Sequence, residues 1–274
     1  MSSPAHNPSA RSSCLSCVAG THSLADALET CGYADAEGLI RHDRVTVNGL
    51  SATRPRKPIH PRDDVIEVDG VPVLADHLCS YIAVHKPYRV LSEMVRTVDG
   101  RSSLLDIVPL SGLYAVGRLD YDSEGLVLLT DDGWMAHRLT HPRFSHPKTY
   151  LVQVEGMPNR EALAALAEGV LVKGRKTKKA EVTLLSEDEQ PRVPPRTVPI
   201  QRRPGVAAPW LYMVLREGRN RQIRHMTAAV GHPTLRLIRV AIGPVALCDM
   251  EPGQWRHVDN SELAALEQML LGGG

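Results

Sequence analysis

The residues of this chain that could do chemistry are concentrated in a short polar loop, residues 117–120, and in the segment that follows it. Asp120 ends the loop, and an unbroken apolar run at 126–129 follows before a polar turn. Four to eight apolar residues between turn signals predict a buried strand. A carboxylate on a loop held by such a strand is a candidate nucleophile or acid/base group, although an ordinary loop aspartate would give the same pattern.

A second polar segment, residues 217–226, could bring positive charge to such a carboxylate. It follows a predicted strand and begins a predicted helix that ends at Gly231. Helical spacing places Arg221, Arg224 and His225 on one side of that helix and its apolar residues on the other. A solvated basic face fits the pattern, and so does a cluster that faces phosphates or a catalytic carboxylate. An arginine beside Asp120 would keep it ionised and fix its direction.

The third segment is Lys148-Thr149-Tyr150, at the head of a predicted strand. Tyr150 is either a core residue or a ring on which a nucleic-acid base can stack. Further basic residues cluster at 54–57, 173–179 and 202–203. The sequence alone cannot place these clusters on one face of the molecule.

Periodicity predicts the elements that must position these segments. In the first part of the chain, Ser23 and Asp26 resemble a capping box that opens a helix, and a second short helix is predicted over 35–41. A strand at 44–47 then enters the turn Asn48-Gly49, and residues 65–70 repeat that pattern.

The rest of the chain mixes strands and helices without a regular alternation, which predicts an α+β fold. Helices are predicted at 159–169, with Asn159 as the N-cap, and at 261–271. Residues 186–208 are rich in Pro and Arg and are predicted to be a long loop. The predicted strands are 81–85, 148–155, 181–185 and 211–216.

The composition is that of a soluble globular protein, with 43% hydrophobic and 23% charged residues in a chain of 274. The net charge of +1 gives no global basic field, so nucleic-acid binding would depend on local clusters. No apolar stretch approaches the roughly eighteen residues of a membrane span. Five scattered cysteines indicate a reducing compartment and a cytoplasmic location. Cys14 and Cys17 have the spacing of zinc ligands but lack a second pair, so no metal site is expected.

Taken together and in this order, the segments resemble the RsuA/RluB/RluE family of ribosomal RNA pseudouridine synthases. The resemblance covers residues 80 to about 262, and the details at 86–88 and 218–221 look closest to the RluE subgroup, which acts on large-subunit (23S) rRNA. The matching motifs are His85-Lys86-Pro87, Gly117-Arg118-Leu119-Asp120 with Ser123-Glu124-Gly125, Lys148-Thr149-Tyr150, Gly218-Arg219-Asn220-Arg221-Gln222-Ile223-Arg224, and Leu235-Arg236-Leu237-Ile238-Arg239 with Gly243-Pro244.

The resemblance implies an enzyme that isomerises a specific uridine to pseudouridine without a metal or other cofactor. Asp120 would be the nucleophile, Arg224 its ion-pair partner, and Tyr150 the ring that stacks on the uracil. The target uridine would have to leave its stack to be reached. The implied partner is ribosomal RNA, as 23S rRNA or a pre-ribosomal particle, bound by a monomer. The implied substrate-binding residues are Arg118, Lys148, Arg219, Arg221 and Leu237.

The N-terminal part resembles an S4 RNA-binding domain, which implies RNA contacts from Arg41, Arg44, Arg56 and Lys57. Such domains usually carry an arginine-rich second helix, whereas this chain has Asp35 and Glu37 there, which removes phosphate contacts and adds negative charge. The predicted organisation is a disordered tail (1–20), an S4-like domain (21–73), a linker (74–79), a catalytic domain with a mixed, largely antiparallel sheet flanked by helices (80–262), and a C-terminal helix and tail (263–274).

Three alternatives remain open from the sequence. Asp122 and Glu124 could form the acid/base pair of a glycoside hydrolase, although residues this close in one loop are poorly placed across a sugar cleft. The chain could be a non-catalytic RNA-binding or ribosome-assembly factor on the same fold. It could also be a synthase that acts on small-subunit 16S rRNA.

Overall fold

A computed structural model describes residues 22–59, 64–73, 79–196 and 198–272 of the chain. The predicted tail at 1–20, with Cys14 and Cys17, and residues 74–78 of the predicted linker lie outside the described residues. Within the described ranges, no helix combines the length and the apolar character that crossing a bilayer requires.

The first part of the chain contains two short helices, α1 (Leu24–Thr30) and α2 (Ala36–Arg41). The cap predicted at Ser23 is confirmed, since its hydroxyl accepts the Asp26 N–H at 3.2 Å. Asp35 caps α2 in the same way through the Gly38 N–H. The strands of this part are β1 (His22–Ser23), β2 (Val45–Val47), β3 (Leu50–Ser51), β4 (Pro58–Ile59), β5 (Ile66–Val68) and β6 (Val71–Val73).

Four of these strands form an antiparallel sheet in the order β3-β2-β5-β6, and β1 pairs with β4. Both predicted turns are confirmed: Asn48-Gly49 joins β2 to β3 and Asp69-Gly70 joins β5 to β6, with positive φ at all four residues. Such pairs fit the twist of a two-residue hairpin. The helices pack on the sheet through a small core of Leu24, Ala25, Ala27, Leu28, Ala36, Ile40, Val45, Val47, Ala52, Ile59, Ile66 and Val68.

The remainder of the chain is built around one nine-stranded sheet, which confirms the predicted α+β architecture. Seven strands follow one another in the order β13-β14-β10-β15-β9-β7-β17, while β8 pairs with β9 and β16 with β15. The strands are β7 (Tyr81–Lys86), β8 (Tyr114–Val116), β9 (Glu124–Thr130), β10 (Lys148–Val154), β13 (Glu181–Leu184), β14 (Trp210–Leu215), β15 (Thr234–Ile242), β16 (Val245–Ala246) and β17 (Trp255–His257); a separate hairpin consists of β11 (Leu171–Val172) and β12 (Arg175–Lys176).

The sheet is largely antiparallel, and the pair that β9 and β15 form near its centre is parallel. All seven residues of β9 are buried, which confirms the strand predicted from the apolar run at 126–129. Gly125 lies opposite Arg239 in the parallel pair. It has φ of +107°, and a Cβ there would approach the Arg239 nitrogen to 2.6 Å. Only glycine therefore lets the two central strands meet directly after the Asp120 loop.

Four helices flank this sheet: α3 (Gly133–Thr140), α4 (Arg160–Glu168), α5 (Gln222–Ala229) and α6 (Asn260–Gly272). The Asn159 side chain caps α4 as predicted, at 2.8 Å from the Ala162 N–H. The long loop predicted at 186–208 has no helix or strand among its described residues, 186–196 and 198–208. The sequence reasoning did not identify α3 as a helix or β15 as a strand.

The chain divides into a smaller and a larger compact unit. The smaller unit contains the described residues up to 81 together with 109–114 and 130–134, and the larger unit contains the rest. The division is not a single cut in the sequence, because two short stretches from beyond residue 100 belong to the smaller unit. Every residue of the candidate site described below lies in the larger unit.

Candidate active site

The Asp120 loop is held by hydrogen bonds on both sides of Asp120. Ser92 Oγ donates to the Leu119 carbonyl at 2.8 Å and accepts the Leu119 N–H at 3.0 Å. The Arg89 N–H donates to the Tyr121 carbonyl at 2.9 Å, and the Ser123 N–H donates to the Asp120 carbonyl at 3.0 Å. The Asp120 side chain is 26% exposed, so a restrained carboxylate remains accessible to a ligand.

Two arginines from the start of α5 face this loop, but not in the predicted arrangement. Among the described residues, Asp120 forms an ion pair with Arg221, at 3.8 Å between Nη1 and Oδ2. Arg224, the partner that the resemblance assigned to Asp120, donates to the Asp122 carbonyl at 2.6 Å and lies 3.4 Å from the Asp122 carboxylate. Arg221 also binds the Asp122 carboxylate with two hydrogen bonds of 2.8 Å. Asp122 thus holds both guanidinium groups beside Asp120.

Arg221 reaches this position because it is the N-cap of α5 and not a residue of the helix. Its φ is +53°, in the left-handed region, which turns the chain sharply between β14 and α5. Strained backbone of this kind persists where its surroundings determine it. The prediction that Arg221, Arg224 and His225 share one side of the helix is wrong for Arg221, which lies in the turn before α5. Of the alternatives left open for this cluster, the contacts of Arg221 and Arg224 favour the one in which it faces carboxylates.

The charges of this cluster shift the pKa values of its members. Burial raises the pKa of the Asp122 carboxyl, but hydrogen bonds from Arg221 and the charges of Arg224 and Arg221 outweigh it and leave that pKa below its usual range. Burial lowers the pKa of the Arg224 guanidinium, although the negative charge of Asp122 raises it in part. Hydrogen bonding to Asp122 raises the pKa of Arg221. All three groups are charged at neutral pH.

One face of the sheet next to this loop carries three of the predicted site residues. Along β10, Lys148 and Tyr150 are two positions apart, so they point to the same side. Tyr150 pairs with Arg239 and Val152 with Leu237 on β15, which puts Leu237 and Arg239 on that side too. Tyr150 and Leu237 are 9% and 5% exposed. Both side chains are therefore almost completely buried, as expected if Tyr150 is a core residue, and a base could stack only on the small area of the Tyr150 ring that remains exposed.

Buried positive charge lies near Asp120 and Arg239. Lys86, at the end of β7, is completely buried and donates from Nζ to the carbonyls of Val90 at 2.8 Å and Pro87 at 3.0 Å. Burial lowers its pKa to about 7, although the negative charges of Glu124, Asp122 and Asp120 act to raise it. Burial and the charge of Arg239 lower the pKa of Lys148 to about 8. Arg239 donates from Nε to the Leu126 carbonyl, while its Nη2 has no hydrogen-bond partner among the described residues.

Both oxygens of the Glu124 carboxylate are bound by an arginine inside the protein, which weakens the glycoside hydrolase alternative. Glu124 is 2% exposed and takes two hydrogen bonds from Arg236, at 3.0 and 2.7 Å, with Arg196 at 3.8 Å. An acid/base pair needs two carboxylates that are open to a sugar and to water. Asp122 and Glu124 are instead each held by arginines.

The remaining predicted substrate-binding residues lie at the margins of the site. Arg118 is exposed and pairs with Glu93 at 2.7 Å. Arg219 donates to the carbonyls of Lys176 at 2.9 Å and Arg175 at 3.4 Å, and to Glu217 at 3.0 Å. Its guanidinium therefore binds the protein's own backbone, and substrate binding by these two arginines stays a prediction.

The predicted RNA-binding residues of the smaller unit are partly neutralised. Arg41 pairs with Glu37, and Arg44 binds Asp69 with both ends of its guanidinium. Arg56 is exposed and Lys57 is half-buried. Two of the four positive charges thus have carboxylate partners, which lessens their attraction for phosphate.

Sequence reasoning missed several residues that organise the site. Ser92, Lys86 and Arg239 were not singled out, although the last two lie inside motifs that were quoted. A serine in a loop and a lysine before a proline carry no distinctive local signal. In the described parts of the chain, no group of three His, Cys, Asp or Glu side chains could hold a metal ion.

Comparison with known proteins shows which family the chain resembles. A family model described as RNA pseudouridylate synthase matches residues 80–229. A protein of Xanthomonas campestris named ribosomal large subunit pseudouridine synthase E is 50% identical over 179 residues, 65% of this chain and 95% of that relative. An uncharacterized RNA pseudouridine synthase of Aquifex aeolicus is 35% identical over 233 residues, 84% of this chain and 86% of that relative.

A solved structure described as a pseudouridylate synthase shares the fold over most of both chains. It has a TM-score of 0.56 and 28% identity, and the match covers 89% of this chain and 99% of that one. A relative in Bacillus subtilis named ribosomal large subunit pseudouridine synthase B is 34% identical over 237 residues, 85% of this chain and 89% of that relative.

Proposed function

The chain belongs to the RNA pseudouridylate synthase family, and from this premise we propose that it converts a specific uridine of large-subunit 23S rRNA to pseudouridine, with Asp120 as the nucleophile. The observation that carries the assignment is the restrained, accessible Asp120 carboxylate with Arg221 at 3.8 Å. A nucleophilic carboxylate must stay ionised and correctly placed. The names of the similar proteins from Xanthomonas and Bacillus support the large subunit as the target.

The reaction is an isomerisation, so atoms and electrons balance within the nucleoside. The bond between N1 of the uracil and C1′ of the ribose breaks, the base turns, and C5 is joined to C1′. N1 gains a proton and C5 loses one. Asp120 attacks the reacting nucleoside and leaves again, so the enzyme is unchanged at the end of the cycle.

The other residues have roles that follow from where they lie. Arg221 places its positive charge 3.8 Å from the Asp120 carboxylate, while Asp122 holds Arg221 and Arg224. The side of the sheet that carries Tyr150 and Leu237 receives the uracil, which has to leave the RNA stack because a base inside a helix cannot be reached at its glycosidic bond. Tyr150 is also the group proposed to assist removal of the C5 proton.

The test maps pseudouridines in 23S and 16S transcripts treated with the wild type, with Asp120→Asn and with Asp249→Asn. Asp249 is exposed and lies outside the site, so its variant is a control for the loss of one negative charge. We expect one new site in 23S RNA with the wild type and Asp249→Asn, and at least a thousandfold slower conversion, on the order of 4 kcal/mol, with Asp120→Asn.

Near-normal conversion by Asp120→Asn would show that Asp120 is not the nucleophile. A new pseudouridine in 16S RNA only would show that the target lies in the small subunit and not in the large one. If neither transcript gains a site, pseudouridines are mapped in rRNA from a strain without this gene. One uridine that stays unmodified in that strain would show that the substrate is a ribosomal particle, whereas an unchanged map would indicate a protein that only binds RNA.

A further inference from the structure

The most basic stretch of the larger unit is residues 173–179, which we name the basic strap. Five of its seven residues are basic: Lys173, Arg175, Lys176, Lys178 and Lys179. All five are exposed, whereas Thr177 is 4% exposed. The Thr177 side chain accepts the Val170 N–H at 3.0 Å, and its own N–H donates to the Val170 carbonyl at 2.9 Å. One buried residue thus fixes the strap while its charged side chains point into solvent.

The strap is fastened to the segment that carries the site arginines. Arg219 donates to the carbonyls of Arg175 and Lys176. Glu217 accepts the Lys178 N–H at 2.8 Å and the Gln222 amide at 2.6 Å. Gln222 is the first residue of α5, and Arg221 immediately precedes it. The strap is therefore held beside the residues that contact Asp120 and Asp122.

A second attachment joins the strap to the start of β10. Lys178 Nζ donates to Ser145 Oγ at 2.8 Å. Ser145 comes three residues before Lys148, where β10 and the proposed uracil surface begin. The strap consequently borders the site from the α5 side to the β10 side.

The charge of the strap exceeds that of the carboxylates around it. Lys179 pairs with Glu168 at 2.8 Å, and Glu217 is already bound by Arg219. Lys173, Arg175 and Lys176 form no ion pair within the described parts of the chain. Several exposed cations on a fixed backbone attract a chain of regularly spaced anions, and nucleic-acid phosphates are such a chain.

Building on the proposed function, we propose that the basic strap binds the phosphate backbone of the RNA that flanks the target uridine. Lysine acts on a phosphate as a point charge and arginine through its planar fork, and neither reads the base. The strap therefore adds affinity and holds the RNA against the site, while selection of the uridine belongs to other contacts. Arg219 acts here as a positioning residue for the strap.

The test compares the double variant Arg175→Gln/Lys176→Gln with the control Arg160→Gln/Arg202→Gln in the full-length protein. The control also removes two exposed positive charges. Arg160 begins α4, which follows the far end of β10, and Arg202 precedes Arg203, which binds Glu155 just past that end. Binding to 23S transcript is measured from 0.05 to 0.3 M salt, together with kcat and KM for pseudouridine formation.

Each lost phosphate contact lowers the slope of log affinity against log salt by about 0.7 to 0.9. We expect the strap variant to lose about 1.5 in slope and about tenfold in affinity at 0.15 M salt, with KM raised and kcat within about twofold of the wild type. The control should stay within about threefold in affinity. Because affinity is measured directly, a wild type that binds RNA without forming pseudouridine would reject the reaction but leave this comparison valid.

Equal affinities and slopes for the two double variants would overturn the role of the strap, whatever the outcome for the reaction. A fall in kcat without a change in affinity would also overturn it.

Discussion

At the scale of single residues, the site is organised by charges whose partners lie far away in sequence. Asp122 is 99 positions from Arg221, and the two share a bidentate ion pair. Paired, hydrogen-bonded arginines are well suited to hold a carboxylate in one direction. Lys86 differs from these paired groups, because it is fully buried and donates its hydrogen bonds to carbonyls. Its protonation is therefore sensitive to pH near neutrality.

Replacing Lys86 with methionine should remove a pH dependence of the free energy of unfolding. Burial lowers the folded-state pKa of Lys86 from 10.5 to about 7. Between pH 7 and 10 the unfolded chain binds more protons at this residue than the folded chain, so wild-type stability gains from rising pH. Relative to Lys86→Met, the wild type should gain on the order of a few kcal/mol across this window.

The measurement is urea unfolding of both proteins at pH 7, 8.5 and 10. Lys179→Met is the control, since Lys179 is exposed and its loss should leave the pH profile parallel to that of the wild type. A parallel profile for Lys86→Met would show that the ammonium group is not desolvated in solution.

At the scale of elements, the parallel contact between β9 and β15 decides where the Asp120 loop lies. β9 begins four residues after Asp120, and β15 lies between β9 and β10. This single pairing places the start of β9 beside β15, one strand away from the strand that carries Tyr150. Gly125 is the residue that permits it, since any side chain there would collide with the Arg239 backbone.

Gly125→Ala should therefore destabilise the larger unit. The positive φ and the collision with the backbone act together, and we expect a loss of at least about 2 kcal/mol in the free energy of unfolding. Gly218→Ala is the matched control, because Gly218 has no unusual φ and open space around its missing Cβ. Its change should stay within about 1 kcal/mol.

Thermal or urea unfolding of the two alanine variants checks this expectation, with pseudouridine formation as a second readout. The structural argument for Gly125 would fail if both variants unfolded at the same denaturant concentration as the wild type.

At the scale of the whole molecule, charge is nearly balanced and attraction for RNA is local. The net charge is +1, so no long-range field draws the protein to nucleic acid. In the smaller unit, Arg41 and Arg44 are paired with Glu37 and Asp69, whereas the strap of the larger unit keeps cations without carboxylate partners among the described residues. The strap should therefore contribute more of the salt-dependent binding than Arg41 and Arg44 do.

Arg41→Gln/Arg44→Gln should change the affinity for 23S transcript less than the strap variant, by under about threefold at 0.15 M salt, because each arginine already has a carboxylate partner. The same salt titration measures both. A tenfold loss would show that these ion pairs open to bind RNA, and that the smaller unit holds the substrate as an S4-like domain would.

Much of the local structure follows from the sequence. The cap at Ser23, the turns at Asn48-Gly49 and Asp69-Gly70, and the buried strand after Asp120 each depend on residues within a few positions of one another. Such signals act before the chain is packed, so they can be identified without knowing the fold. The order of the motifs along the chain predicts the family, and the matching family model confirms that prediction.

The sequence by itself therefore determined the local elements and the residue types available for catalysis. Only the tertiary structure decided which groups meet: Arg221 and not Arg224 in ion-pair contact with Asp120, Arg236 on Glu124, Ser92 around Leu119, and Arg219 on the strap. These contacts join residues that lie 27 to 112 positions apart in the sequence. Strand order and register set them, and ion pairs need a placement within about an ångström that no local pattern encodes.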